Sequence, residues 1–440
     1  MSLTRSFNVQ GAILKVWCLV PLLSCLVKAD QYDKTFDPFT RRTLSGDSGH
    51  GHGHVAPGHP VIHADGTCPN YKPFDVSKYG NAKGDGKTDD TQAFLAAWKD
   101  VCTCPTAAKL FIPKGTWLTA ELDFRGPCTA PSVLMELQGT LLAKPDQQAF
   151  PKGYWINVIG VQNFVLNGGG TLNAQGEHIW HLRAIGEKGK PLPDSLVLAQ
   201  SNNSRIENVF FVNAKGFNMK VFENENVTIC NVHITSPGDS PNTDGIHVGR
   251  LRNVHISDST IAVGDDCVSI GDGSIDITVK NILCGPGHGI SVGSLGRFPY
   301  ETDVRNIFVD NCTFVKTLNG ARIKTFHDSP KLVADNITFQ NLIMHDVYNP
   351  IIIDQNYASM KPVPSRVKIS NIFFKNIKGT TWSNIAVSLN CSSSVPCDHI
   401  ELSDIDLKYT GNNTVDKIAH SACANVHPKL GGVMNPPGCK

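Results

Sequence analysis

The sequence predicts an all-β protein: a single-domain parallel β-helix, a solenoid closed at its amino-terminal end by one capping helix. Three observations carry this. Short β-branched runs, each opened by Asn or Asp, recur from Asn208, Asn226, Asn253, Asp276, Asn306, Asn336 and Asn371. Their starts lie 18 to 35 residues apart, commonly 23 to 30, with glycine or proline between them. No amphipathic helical stretch of ordinary length separates the runs, which argues against alternating βαβ units. Strands that return to one angular position after each turn stack in parallel, and their inward Val, Ile and Phe line a continuous core. A propeller fits less well, because its blades need roughly 40 residues with hairpin turns.

At the amino terminus, Arg5 and Lys15 precede an apolar run over 16–27, and Val27-Lys28-Ala29 ends in a small residue. Residues 1–29 therefore read as a signal peptide. The run is broken by Pro21 and falls short of the roughly 20 residues that span a bilayer. No later stretch is long and apolar enough, so no membrane association is expected after cleavage. Residues 30–67 lack apolar periodicity and scatter His50, His52, His54, His59 and His63 among glycines and prolines. They read as a flexible low-complexity segment with no part in the chemistry. The catalytic coil is expected over 68–440.

One helix is predicted near its start, over 89–101. Asp89-Asp90-Thr91 supplies caps, and Phe94, Leu95, Trp98 and Val101 form a stripe at helical spacing. Such a helix would plug the coil and hide its strand edges.

Composition bounds the partners. Lys+Arg 40 against Asp+Glu 39 leaves a net charge of +1, so no global field draws the chain to nucleic acid or an anionic membrane. An acidic ligand must be held locally. Hydrophobic residues at 41% and charged residues at 18% exclude global disorder. Of 14 cysteines, Cys18 and Cys25 fall in the signal, leaving an even number in the mature chain. With secretion expected, they point to disulfides: Cys391 with Cys397, Cys423 with Cys439, and Cys102 or Cys104 with Cys128. Zinc at Cys102-Thr103-Cys104 is the weaker reading, since no second pair follows at finger spacing. Sequons at Asn202, Asn226, Asn311, Asn336, Asn390 and Asn412 agree with secretion.

The carboxylates are the most informative residues. Asp244, in Asn242-Thr243-Asp244-Gly245, precedes Asp265 by 21 residues, and Asp265 precedes His288 by 23. Those gaps are about one coil each, so Asp244, Asp265 and His288 are expected as a ladder on the outer surface at roughly 4.8 Å spacing. Arg322 follows His288 by 34 residues, one coil with an insertion. Alternation then puts Arg322 and Lys324 on the acids' face while Ile323 points inward. Asp265 and Asp266 are adjacent, so a bend or bulge is needed for both to reach a ligand. Crowded carboxylates raise one another's proton affinity and nearby cations lower it, so one acid can stay protonated beside ionised neighbours. That division suits glycoside hydrolysis, in which a gap of about 6.5 to 9.5 Å between acid and base gives inversion. Singly, Gly-Asp-Asp reads as a turn, a His between glycines as structural and Arg-x-Lys as a solvated face. Only the ordered set is specific.

Taken together, these motifs resemble the polygalacturonases of glycoside hydrolase family 28, plant members above all. The likeness runs from about Tyr71 to Cys439. It includes Gly84-Asp85-Gly86-Lys87-Thr88-Asp89-Asp90, Ser240-Pro241-Asn242-Thr243-Asp244-Gly245, Gly264-Asp265-Asp266-Cys267, Gly287-His288-Gly289-Ile290 and Arg322-Ile323-Lys324. The resemblance implies a right-handed coil and inverting hydrolysis of the α-1,4 linkages of pectic homogalacturonan, with no cofactor or metal, by a monomer secreted to the cell wall. It implies Asp265 as general acid, Asp244 and Asp266 holding and deprotonating the water, and His288 setting the acid's protonation. Arg322 and Lys324 would bind substrate carboxylates, as charge-assisted pairing to a polyanion requires. Tyr357 would pack on a sugar ring, with a core aromatic as the alternative. Asn242 would bind substrate or shape its turn. A Cys267–Cys284 bridge is implied as well. Two departures stand out: Ala358 follows Tyr357 where many plant relatives carry a cysteine, and the His-rich segment lies outside the usual pattern. A pectate lyase and a non-catalytic pectin-binding wall protein are the alternative functions. Endo and exo action share the same acids and are not separated by them.

Overall fold

In a computed structural model the described residues are 71–181, 192–358, 363–412 and 418–439. The signal peptide and the His-rich segment lie outside them. The chain divides into Met1–Ala56 and Pro57–Lys440, and every described residue belongs to the second unit.

All strand pairings among the described residues are parallel, and the chain winds as a right-handed β-helix. One sheet holds eleven strands, from Leu122–Arg125 to His420–Ala424. The other two faces join into one array, because in the later coils single long strands such as Arg252–Ala262, Ile275–Cys284 and Leu332–Val347 cross from one face to the next.

The asparagines that open the runs explain how the chain turns these corners. Asn226, Asn253, Asp276, Asn306 and Asn336 all have φ between 55° and 60°, the left-handed region that Asn and Asp tolerate better than other residues with a side chain. Their side chains stack. The Asn226 amide donates to Asn203 Oδ1, that of Asn253 to Asn226 Oδ1, that of Asn306 to Asp276 Oδ1 and that of Asn336 to Asn306 Oδ1, at 2.7–2.9 Å. A second ladder follows another corner, with Asn231 on Asn208, Asn281 on Asp258 and Asn311 on Asn281. Asn208 thus belongs to a different ladder from Asn226, and the 18-residue interval between them measures corner to corner. Along one ladder the coils are 23 to 30 residues long.

Inside, like residues stack on like. Val254, Ile277, Ile307, Ile337, Ile372 and Ile400 pair in register and are fully or almost fully buried. Each such side chain contributes roughly 1.5–3 kcal/mol by leaving water, and truncation of one to Ala would cost about 2–5 kcal/mol because the coils above and below cannot collapse into the gap.

The capping helix is Thr91–Thr103, two residues later at each end than its apolar stripe suggested. Asp89 accepts the Thr91 N–H, while Asp90 turns back to accept from the Lys83 and Gly84 N–H groups. Phe94, Ala97, Trp98 and Val101 are buried, and Trp98 stacks on Phe124 at 4.6 Å between centroids. The helix packs on Lys72–Asp75, Ala108–Ile112 and Leu122–Arg125, the first strands of the coil. Disulfides join Cys102 to Cys128, Cys267 to Cys284, Cys391 to Cys397 and Cys423 to Cys439. Cys104, the competing partner for Cys128, is a buried free thiol. No described helix is long and apolar enough to cross a membrane.

Candidate active site

The eleven-stranded sheet positions the acids. In its centre Ile246, Val268 and Ile290 pair in steps of 22 residues and continue to Ala321 and Ile351, all pointing into the core. Asp244, Asp266 and His288 each stand two residues before the first three of these. The ladder therefore runs through Asp266, and the expectation that Asp265 occupies it is corrected: a 22-residue coil puts Asp265 one position out of step. The acids also do not lie on an open outer surface, since Asp244 is 5% and Asp266 1% exposed. They form the floor of the site.

Asp265 reaches the site because the chain leaves strand geometry between Ala262 and Val268. This is the bend that two adjacent acids require. A Cβ on Gly264 would lie 1.9 Å from the Ser240 carbonyl oxygen, so close approach of the Asn242 turn admits only glycine there. The Cys267–Cys284 bridge braces the far side. Asp265 then meets His288, whose Nδ1 lies 2.9 Å from Oδ1 and whose backbone N–H donates to the Asp265 carbonyl at 2.7 Å. Ligating atoms of Asp265, Asp266 and His288 lie within 4.8 Å of one another. A divalent ion there would share Asp266 with two protein cations, so the donor set is a poor cation cage.

Those cations are Arg322 and Lys324. Ile323 points into the core, and its neighbours reach across two coils: Arg322 Nη2 donates to Asp266 Oδ1 at 2.5 Å and Lys324 Nζ to Oδ2 at 2.7 Å. Ser291 Oγ adds a third donor to Asp266 at 2.8 Å and accepts from Arg322 Nε. Asp244 is held differently. Ser269 Oγ donates to its Oδ2 at 2.7 Å and the Asn242 amide to its Oδ1 at 3.3 Å. His247 Nδ1 lies 2.8 Å from the same Ser269 Oγ. Burial and the charge of Lys220 lower His247 to about 4, so the ring is neutral.

The acids differ in proton affinity. Burial, then the neighbouring carboxylates Asp266 and Asp265, pushes Asp244 well above the usual carboxylate range. Burial opposes ionisation of Asp265 too, but the hydrogen bond and charge of His288, with Lys324 and Arg322, bring it below that range. Of the two, Asp244 is the acid its surroundings favour to hold a proton. Asn242 takes a left-handed turn conformation with φ 55°, which accounts for Asn at the corner. Tyr357 is a half-buried wall residue rather than a core aromatic: its ring lies 5.1 Å from Lys324 Nζ and edge-on to Phe326. Residues 359–362 beside it are outside the described set.

Ser269, Ser291 and His247 were not among the residues expected from the motifs. Their signal is the 22-residue step between Ser269 and Ser291, visible only once the coil length is known.

Comparison with known proteins bears on fold and descent. The sequence profile of Glycosyl hydrolases family 28 matches residues 102–432. An exopolygalacturonase of Arabidopsis thaliana is 44% identical over 375 residues, covering 83% of this chain and 87% of that one. A polygalacturonase of Gossypium hirsutum is 41% identical, covering 83% and 90%. Among solved structures, the Thermotoga maritima exopolygalacturonase superposes with a TM-score of 0.69 at 20% identity over 78% of this chain and 88% of its own. The polygalacturonase of Erwinia carotovora ssp. carotovora does so at 0.63 and 22% over 85% and 98%. At these identities the structures speak to the fold, a parallel coil of this kind. The profile match and the plant relatives speak to descent, and on them the chain belongs to glycosyl hydrolase family 28.

Proposed function

We propose that the protein hydrolyses the α-1,4-galacturonosyl linkages of pectic homogalacturonan with inversion, and that Asp244, Asp265, Asp266 and His288 carry the reaction. One observation supports this above the others: three aspartates on two adjacent coils share a partly buried site in which one is driven to keep its proton and another to lose it.

Asp265 is the most accessible acid, its side chain 26% exposed, and the one placed to reach a bulky leaving group. The sunken Asp244 and Asp266 suit a water molecule. A galacturonosyl carboxylate entering beside Asp265 is a like charge that raises its proton affinity. The resting proton then moves from Asp244 to Asp265. That single shift makes Asp265 the donor to the glycosidic oxygen and Asp244 the base for the water, while Asp266, clamped by Arg322 and Lys324, helps hold that water. The remaining N–H groups of Arg322 and Lys324 face substrate carboxylates, and Tyr357 offers a ring to the sugar. The signal-like amino terminus and the disulfides support secretion to the cell wall.

The test is digestion of demethylated galacturonan with the anomer of the new reducing end followed by NMR. Inverted product supports the reading. An unsaturated, ultraviolet-absorbing product abolished by a chelator would establish a lyase, and binding without new reducing ends a wall-binding protein.

A further inference from the structure

The row of outward side chains that serves the acids extends one coil beyond them. His247, Ser269, Ser291 and Arg322 pair in register, and the next partner on the amino-terminal side is Lys220, opposite His247. The polar stretch of the row thus carries a cation on each flank, beyond which Val197 and Ile352 follow, but the two cations differ. Arg322 is bound to Asp266, whereas the Lys220 ammonium lies 3.7 Å from Asp194 and its side chain is 37% exposed.

Lys220 opens onto a cavity of about 660 Å3, within the roughly 300–1,000 Å3 of small-ligand sites. Phe150, Lys152, Asp194, Phe217 and Asn242 line it with Lys220, so its wall reaches the catalytic turn. Asp194 divides its oxygens: Oδ1 accepts the Phe217 N–H at 3.2 Å, and Oδ2 faces Lys220 at 3.7 Å, longer than a hydrogen bond. Phe217 packs against His247 with centroids 5.0 Å apart, which fixes the aromatic surface beside the ammonium. Lys152 is held in place by Asp123 and Glu121 at 2.8 and 3.1 Å. A cavity with a loosely paired ammonium, an aromatic wall and an amide at its inner edge has the chemistry to hold a sugar acid.

We propose that Lys220 is a specificity-determining residue: it binds the carboxylate of the galacturonosyl unit on the amino-terminal flank of the scissile bond, with Phe217 along the pyranose ring. This rests on the galacturonan reading above. The substrate carries a carboxylate on every unit, so recognition from Arg322 and Lys324 alone would leave half the bound chain unread. Lys220 reads the other half and selects a free acid over its methyl ester.

Lys220→Met and Lys220→Arg test this. By calorimetry in an Asp265→Asn background, where the ligand is not cut, Lys220→Met should lose about tenfold in affinity for trigalacturonate, as loss of one charge-assisted hydrogen bond predicts, and nothing for its methyl ester. On demethylated galacturonan its KM should rise about as much with kcat within about twofold, while Lys220→Arg stays within about threefold of wild type in both. Circular dichroism should show the fold retained in both variants. Wild-type affinity in Lys220→Met, or an equal loss for acid and ester, overturns the assignment. Wild-type protein that binds trigalacturonate without hydrolysing it sinks the polygalacturonase reading alone, because the binding comparison still stands; wild-type protein that does not bind it sinks both.

Discussion

Asp244 and Asp266 stand on successive rungs of one ladder and meet opposite surroundings. Asp266 is gripped by two cations and a serine hydroxyl, whereas Asp244 receives a hydroxyl and an amide and, among the described residues, no cation. Identical side chains one coil apart thus differ in how their charge is compensated.

Replacing Asp244, Asp265 or Asp266 singly by Asn keeps the shape and removes the proton chemistry. Each variant should lose about 10²–10⁴ in kcat, the usual worth of a positioned acid or base. Release of reducing ends measures it, and circular dichroism should show an unchanged fold. Activity near wild type in any of the three would remove that residue from the mechanism.

Arg322→Met and Lys324→Met each leave Asp266 with one cation in a buried setting. Breaking a buried pair from one side costs about 3–5 kcal/mol where the remaining charge is uncompensated, and here the other cation should hold the loss toward the lower end. The urea midpoint should fall for each variant, and the double variant, which strips Asp266 of both cations, should lose more than the sum of the two.

The pH dependence has a definite sign. The folded-state proton affinity of Asp244 is raised, so its burial costs nothing while the group is protonated in both states and costs progressively more as pH climbs above the unfolded value of about 3.9. Asp244→Asn should therefore match the wild type in thermal midpoint near pH 3.5 and exceed it increasingly toward neutrality. Asp265 runs the other way. Its lowered affinity supplies stability above the unfolded value that is lost as pH falls through the folded one. A pH-independent gain in Asp244→Asn would contradict the electrostatic account.

Asn306 accepts from Asn336, donates to Asp276 and sits at φ 59°. Asn306→Ala should cost about 2–3 kcal/mol, the sum of a left-handed residue with a Cβ and lost hydrogen bonds. Asn306→Gly should cost less, because glycine keeps the turn. Urea titration separates strain from bonding by that difference.

Much of the coil was legible because its β-branched runs are local and repeat, and the capping helix because Phe94, Trp98 and Val101 fall at helical spacing. The motifs around Asp244, Asp265, His288 and Arg322 were legible for the same reason: each is a contiguous tripeptide or so. What stayed hidden depends on coil length to a single residue. A 22-residue step sets Asp266, not Asp265, over Asp244, and no local pattern distinguishes 21 from 22. Ser269 and Ser291 look like ordinary strand residues until that step is known. Lys220 was invisible for a related reason: the wall it shares with Asp194 and Phe150 is assembled from separate coils.

The asparagine ladders bear on a matter remote from catalysis. Asn226, Asn311 and Asn336 are acceptors for N-linked carbohydrate by sequence, yet in each the amide nitrogen that would carry the sugar points at the rung below. An oligosaccharide on that nitrogen would sit against the coil already wound and take the place of its bond to the preceding rung. Corner stacking and glycosylation therefore draw on the same nitrogen at these three positions.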